Sequence, residues 1–288
     1  MRARLGARLI RASMLVDRAL ARYDQLRSLL ITSVASDELL DAYNDLAYGA
    51  TRVYDASAPQ FRTRLFNWEA DLVERVFPKA PGRVLVGGAG GGREAFELVA
   101  RGYEVTAFEP SPALAESMAR RASDTSVPVE VLLGRYQDLP NLWRVHTRER
   151  VDLGKGPRFK AAMLGWSSYS HIRHRDDRVL ALRQCAALTD GPVVASFFLR
   201  PATAPSEHWV RRLVRRLKLR SEGDRFTPHI GFFHTTTAEE LAAEVADAGL
   251  VQVASSYNET DGYWPWVAVA RPEVAGAAMR SSVASTPA

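Results

Sequence analysis

Residues 83–114 read RVLVGGAGGGREAFELVARGYEVTAFEPSPAL, and the fold is decided there. The apolar run 84–86 predicts a strand that enters Gly88-x-Gly90-x-Gly92 directly, and Glu94 to Ala100 opens a helix. A second strand, 104–109, ends on Glu109, and Ser111 is placed to cap the helix that follows. Glycine admits unusual backbone angles and close ligand approach, while a helix N-terminus presents free N–H groups. A carboxylate ending the second strand can accept from both hydroxyls of a ribose lying across the strand ends. Glycine-rich turns also arise for steric reasons alone. Strand, glycines, helix, strand and terminal acid in this order point instead to a nucleotide-like cofactor.

Working outward, 127–133, 160–165 and 192–198 predict further strands, with a helix near 177–188 between the last two. Strands alternating with helices at this spacing predict a parallel sheet covered on both faces. The end departs from that rhythm. Thr237 is the predicted cap of a helix over 238–248, Gly249 stops it, and strands follow at 251–255 and 263–270. The link 258–262, closing on Asp261-Gly262, suits a tight reversal, so these two strands are expected antiparallel. Upstream, 1–31 reads as an amphipathic helix. Residues 36–80 read as helical, with Asp37 as N-cap and Pro78 and Pro81 closing the stretch. The expected organisation is a helical cap, lid or surface-binding region at 1–79 and an α/β domain at 80–272. That domain carries a basic insertion at 200–235, and 273–288 forms a loose tail.

The 288 residues suffice for one sizeable core, and 47% hydrophobic with 25% charged is ordinary for a globular protein. The lone Cys185 rules out an internal disulfide framework and a cysteine-rich zinc site, which sets the expectation of a reducing, cytoplasmic compartment. No window is apolar enough to span a membrane, and Arg8 and Arg11 break what would be a signal-peptide core. The net charge of +5 favours acidic partners. Much of it sits in the N-terminal helix and in EHWVRRLVRRLKLR, residues 207–220, a basic amphipathic segment. Such helices suit an anionic acceptor or peripheral membrane contact, and equally a solvated surface. No nucleic-acid recognition motif accompanies them.

The stretch 83–114, extended over about residues 80–270, resembles the class I S-adenosylmethionine (SAM)-dependent methyltransferases. The resemblance implies a Rossmann-like, seven-stranded, mostly parallel α/β sheet with a terminal antiparallel hairpin. It implies SAM as cofactor, with Gly88, Gly90 and Gly92 as the glycine turn and Glu109 on the ribose. Pro110, Tyr136, Asp138 and Gly165 fall where the family surrounds the cofactor, and 232–250 looks like the approach to its last helix and hairpin. Two acids frequent in the family are missing, since Val86 and Arg135 stand in their places. Two alternatives remain open. One is a methyltransferase-like module that binds without catalysing. The other is an NAD(P)-dependent oxidoreductase, for which the shifted frame Gly90-x-Gly92-x-x-Ala95 fits the dinucleotide turn.

For the acceptor, alignment does most of the work, and a hydroxyl acceptor also needs a base. His171, a few residues past the fourth strand, is the first candidate, with titration expected near histidine's ordinary pKa. His234, before the last helix, is the second, and His174 reads as a solvated helix start. A histidine base favours oxygen over nitrogen as the acceptor atom. Trp166 and Tyr169 are candidate walls of the acceptor pocket. No D-P-P-Y or N-P-P-Y motif, hydrolytic triad or metal-ligand spacing is present.

Overall fold

The computed structural model describes residues 2–51, 54–55, 57–59, 64–139, 141, 158–200, 222–256 and 264–276. The side chains of 2–9 and 49–51 are outside that description. Three helices lead the chain: α1 (Arg2–Val34), α2 (Asp37–Thr51) and α3 (Asn67–Val76). The strands β1 (Arg83–Gly87), β2 (Glu104–Glu109), β3 (Val129–Leu133), β4 (Ala161–Leu164) and β5 (Val193–Ser196) follow. Between them lie α4 (Arg93–Ala100), α5 (Pro112–Thr125) and α6 (Arg175–Leu188). Short β6 (Phe198–Leu199), then β7 (Asp224–Thr227), β8 (Gly231–Thr236), α7 (Ala238–Asp247), β9 (Val251–Ser255) and β10 (Trp266–Ala270) complete the order.

Seven strands form one sheet in the order β3-β2-β1-β4-β5-β10-β9. The first five run parallel, and β10 lies antiparallel to both β5 and β9. Strand alternation sends Val84 and Val86 to one face, against Leu72, Leu98 and Met118, and Leu85 to the other, against Leu182 and Phe108. Each face is thus closed by helices, as the alternating sequence requires. The strand order reverses at β1, between β2 and β4, so a crevice opens at the carboxyl ends of these strands.

Several local expectations change. Residues 36–80 are two helices rather than one run, with turns among the described residues 54–59. Ser36, not Asp37, caps α2: its Oγ accepts from the Leu39 amide at 3.3 Å. Ser111 occupies the N-cap position of α5 but makes no capping bond. Thr237 behaves as expected, its Oγ1 accepting from the Glu240 amide while Glu240 returns a bond to the Thr237 amide. A second, three-stranded sheet, β6-β8-β7, had no counterpart in the sequence reading. It folds most of 224–236 into a hairpin against α1 and α2, with Phe226, Phe232 and Leu40 in its core. The basic segment 207–220, the reversal 258–262 and the tail beyond 276 lie outside the described residues.

Candidate active site

A half-open cleft with a cavity volume of about 180 Å³ lies at the strand ends under α2. Gly88 and Gly90 line it in the left-handed region, at φ +60° and +55°. A side chain at Gly88 would also collide with Ser168, 2.4 Å from the nearest carbon. Gly92 is turned away from the cleft, packed on Met118 and Phe96 at the start of α4. It serves the turn, and the shifted dinucleotide frame that needs it at the ligand loses its support.

Glu109 is buried at the end of β2 and faces the cleft. Its Oε2 accepts from the Gly90 amide at 2.8 Å and its Oε1 from the Ser111 amide at 3.0 Å. Burial pushes its carboxyl up to about 7, against the pull of those two amides, and Asp45 and Glu94 add repulsion. Each oxygen keeps a lone pair beyond its amide partner. Pro110 and Tyr136 also line the cleft, and the Tyr136 hydroxyl lies 2.8 Å from Ser168 Oγ.

Val86, where an acid was expected, is fully buried among Met163, Val194 and Trp266. A carboxylate reaches the cleft from another place. Glu94, in the first turn of α4, accepts from Arg93 Nη2 at 2.8 Å and from the Trp166 amide at 3.3 Å. Arg93 in turn forms a two-pronged pair with Glu69 of α3, both bonds 2.5 Å, beneath the Phe66 ring. One guanidinium between two buried carboxylates leaves an excess negative charge. Burial, then repulsion from Glu94, raises Glu69 above the ordinary carboxylate range. The sequence concealed this trio, because Glu69 and Arg93 look like surface helix residues until α3 docks on α4.

On the opposite wall, His171 Nδ1 lies 2.9 Å from the Phe232 carbonyl and 3.0 Å from the Tyr48 hydroxyl. A carbonyl only accepts, so that bond places the proton on Nδ1 and leaves Nε2 as the lone-pair nitrogen. Burial lowers its pKa to about 4, which moves titration well below the ordinary histidine range expected from the sequence. The ring is therefore neutral near pH 7. Helix α2 roofs this side: Asp41 bonds Arg173 at 2.5 Å and Arg135 at 2.8 Å, and Asn44 Oδ1 accepts from the Phe232 amide. Tyr48, Tyr54 and Trp166 form a chain of edge-on rings at the cleft. Only Trp166 among them had been singled out as a wall. The tyrosines of 36–80 were visible in the sequence, but nothing local said that they would fold over the strand ends.

Four expected positions fall elsewhere. His234 is buried in the second sheet, bonded through Nδ1 to Asp224, and does not line the cleft. Asp138 sits exposed in the turn after β3, while the buried Tyr136 and the exposed Gln137 line the cleft. Gly165 lies behind the cleft, donating to the Gly87 carbonyl and touching Glu94. Tyr169 points into the core and donates to Glu244. His174 remains at the exposed rim, paired with Asp37. No helix among the described residues is long and apolar enough to cross a membrane.

No protein-family model matches the chain, and no curated protein matches it by sequence. Solved structures do match in fold. The CcbJ methyltransferase from Streptomyces caelestis superposes with a TM-score of 0.53 at 18% identity, over 80% of this chain and 97% of that one. SAM-bound CalS10, an amino pentose methyltransferase from Micromonospora echinaspora, gives 0.51 at 18%, over 77% and 95%. The 1,6-didemethyltoxoflavin-N1-methyltransferase of Burkholderia thailandensis, with bound S-adenosylhomocysteine, gives 0.50 at 18%, over 82% and 89%. The fold of this chain is that of the class I SAM-dependent methyltransferases.

Proposed function

We propose that this protein transfers the methyl group of SAM to a small or medium-sized acceptor, at oxygen in preference to nitrogen. The observation that carries the reading is Glu109, a buried carboxylate facing the cleft between Gly90 and Ser111 with acceptor capacity to spare. It would take the two ribose hydroxyls, with Gly88 and Gly90 permitting close approach and Pro110 and Tyr136 flanking the adenosine. Glu94, held by Arg93 and the Trp166 amide, would take the amino group of the methionine portion, a cation that the excess charge of the trio favours. It would thereby replace the acid missing at Val86.

Bound SAM would supply the activated methyl. The chain's own task is then alignment and proton removal. Tyr48, Tyr54 and Trp166 offer aromatic walls to hold an acceptor and keep water out. His171 Nε2 would accept the acceptor's hydroxyl proton while Nδ1 stays anchored on the Phe232 carbonyl. Arg135 and Arg173 line the cleft and share Asp41 between them, so they are the cations that an acidic acceptor would meet there.

Calorimetry with SAM tests the reading directly. Saturable binding is expected, and Glu109→Ala should weaken it by about 1–3 kcal/mol, the usual range for charge-assisted hydrogen bonds. Unchanged affinity in a folded Glu109→Ala protein removes Glu109 from the cofactor site.

A further inference from the structure

Helix α1 is 33 residues long, yet among its described side chains only those of the last turns are buried against the body. There Ser28, Leu29 and Thr32 are buried, and Ser28 Oγ accepts from the Phe226 amide of β7 at 2.8 Å. Every residue from Ile10 to Leu26 is exposed. A helical segment of that length without tertiary contact is marginal in water, because most helix stability comes from burying a face.

Eight apolar positions of this helix are ordered, with Leu15 and Leu20 flanking them and Ile10 and Met14 outside the pattern. Leu5, Leu9, Ala12, Val16, Ala19, Tyr23, Leu26 and Leu30 follow one another at alternating intervals of four and three residues. That is the repeat of a coiled-coil seam, with Leu9, Val16, Tyr23 and Leu30 at one seam position and Leu5, Ala12, Ala19 and Leu26 at the other. At 1.5 Å per residue the seam runs roughly 39 Å. Val16, Tyr23, Leu26 and Leu30 stand 56%, 60%, 48% and 54% exposed. The seam lies to one side of Ser28, Leu29 and Thr32, so anchoring α1 to the second sheet leaves it open.

We infer that α1 pairs with α1 of a second copy of this chain as an antiparallel two-helix coiled coil. The sequence is complementary to its own reverse. Turned head to tail, Leu5 meets Leu30, Leu9 meets Leu26, Ala12 meets Tyr23 and Val16 meets Ala19. The one bulky aromatic falls opposite a small residue, and the two-fold operation repeats each layer, closing the dimer. The parallel arrangement fails on the same residues. It sets Tyr23 on Tyr23, leaves Ala12 on Ala12 and Ala19 on Ala19 as holes, and brings Arg22 against Arg27 across the flank. Antiparallel pairing lays the Arg22 stem over Leu15 instead.

Sedimentation of the full chain at tens of micromolar should give the mass of two chains. Val16→Glu with Leu26→Glu should give the mass of one, while the near-ultraviolet signal of the folded domain is kept. Orientation is read by crosslinking. Ala12→Cys with Tyr23→Cys should yield a covalent dimer on oxidation, neither single variant should, and buried Cys185 stays out of the reaction. A single-chain mass for the native protein overturns the inference. If that monomer floats with anionic vesicles at low salt, the seam belongs to a membrane surface; if it does not, the seam is covered within the chain. Covalent dimer from Ala12→Cys alone overturns the antiparallel order.

Discussion

On one side of the cleft Gly88, Gly90, Glu94 and Glu109 all come from the single stretch 83–114, and the Glu109 carboxylate binds amides only 2 and 19 positions away. On the other side His171 meets Phe232 from 61 positions away and Tyr48 from 123. The first wall is set by backbone geometry that the local sequence encodes. The second is assembled from three parts of the chain, with side chains of α2 and of the turn after β4 meeting a backbone carbonyl of the second sheet. A cofactor common to many proteins suits a local, backbone-built site. An acceptor particular to one protein is met by elements that vary freely around the sheet. Substitutions should separate accordingly: the first wall should govern cofactor affinity, and the second should govern the chemical step.

The largest expected effect lies on the second wall. His171→Ala should lower the chemical rate by about 10²–10⁴-fold with SAM affinity nearly intact, measured by single turnover once an acceptor is in hand. The pKa of about 4 fixes the pH behaviour. Between pH 6 and 8 the imidazole is already neutral, so His171 contributes no limb to the rate there. Stability behaves differently. Below pH 6.5 the unfolded chain takes up a proton that the folded ring refuses, so stability falls as pH drops from 6.5 toward 4. His171→Asn keeps a hydrogen bond to the Phe232 carbonyl but cannot accept the substrate proton. Near-native turnover in that variant would return His171 to a bracing role and undo the division between the walls.

Next in size is Arg93, which ties the first wall to α3. Arg93→Met leaves Glu69 and Glu94 buried without their counter-ion, and removing one partner of such a group costs about 3–5 kcal/mol of folding stability. Urea unfolding measures it. Adding Glu69→Leu should recover part of the loss, since an apolar replacement relieves the stranded charge. A loss below about 1 kcal/mol for Arg93→Met would mean that the ion pair adds little beyond what packing supplies.

These two residues also mark where the sequence was legible. Local signals carried the seven-strand alternation, the antiparallel end, the glycine turn, Glu109 and the Thr237 cap, because each depends on neighbours a few residues away. His171 was reached by its position after β4, but its partners were not, since α2 and the second sheet come to it only through tertiary folding. The second sheet itself stayed hidden: the reversal between Thr227 and Gly231 carries no hairpin dipeptide of the usual kind, and the sheet's apolar residues pack on α1 and α2 rather than on the main core. Glu94 went unnoticed for a related reason. An acid in the first turn of a helix is ordinary, and only Arg93 and the Trp166 amide hold it at the cleft.

The smallest effect sharpens the comparison from the cofactor side. Burial pushes the Glu109 carboxyl up to about 7, whereas an unfolded chain would ionise it near 4.5. Rising pH therefore strips the unfolded state of this proton first, and the fold loses stability between 4.5 and 7. A ribose reverses the preference, since two donating hydroxyls favour the ionised carboxylate, which only accepts. SAM affinity should accordingly climb as pH rises toward 7 and level off above it. The slope below 7 is at most tenfold per pH unit, because the binding-competent fraction falls by no more than that. Calorimetry from pH 5.5 to 8.5 measures the profile, and Glu109→Gln, which cannot titrate, should flatten it. The same slope in Glu109→Gln would assign the titration to another group in the cleft, and Asp45, raised by burial and by Asp41, is the one to replace next. Were Asp45→Asn then to abolish the slope, control of the cofactor would sit on the α2 roof. The separation of the two walls would fail at the ribose.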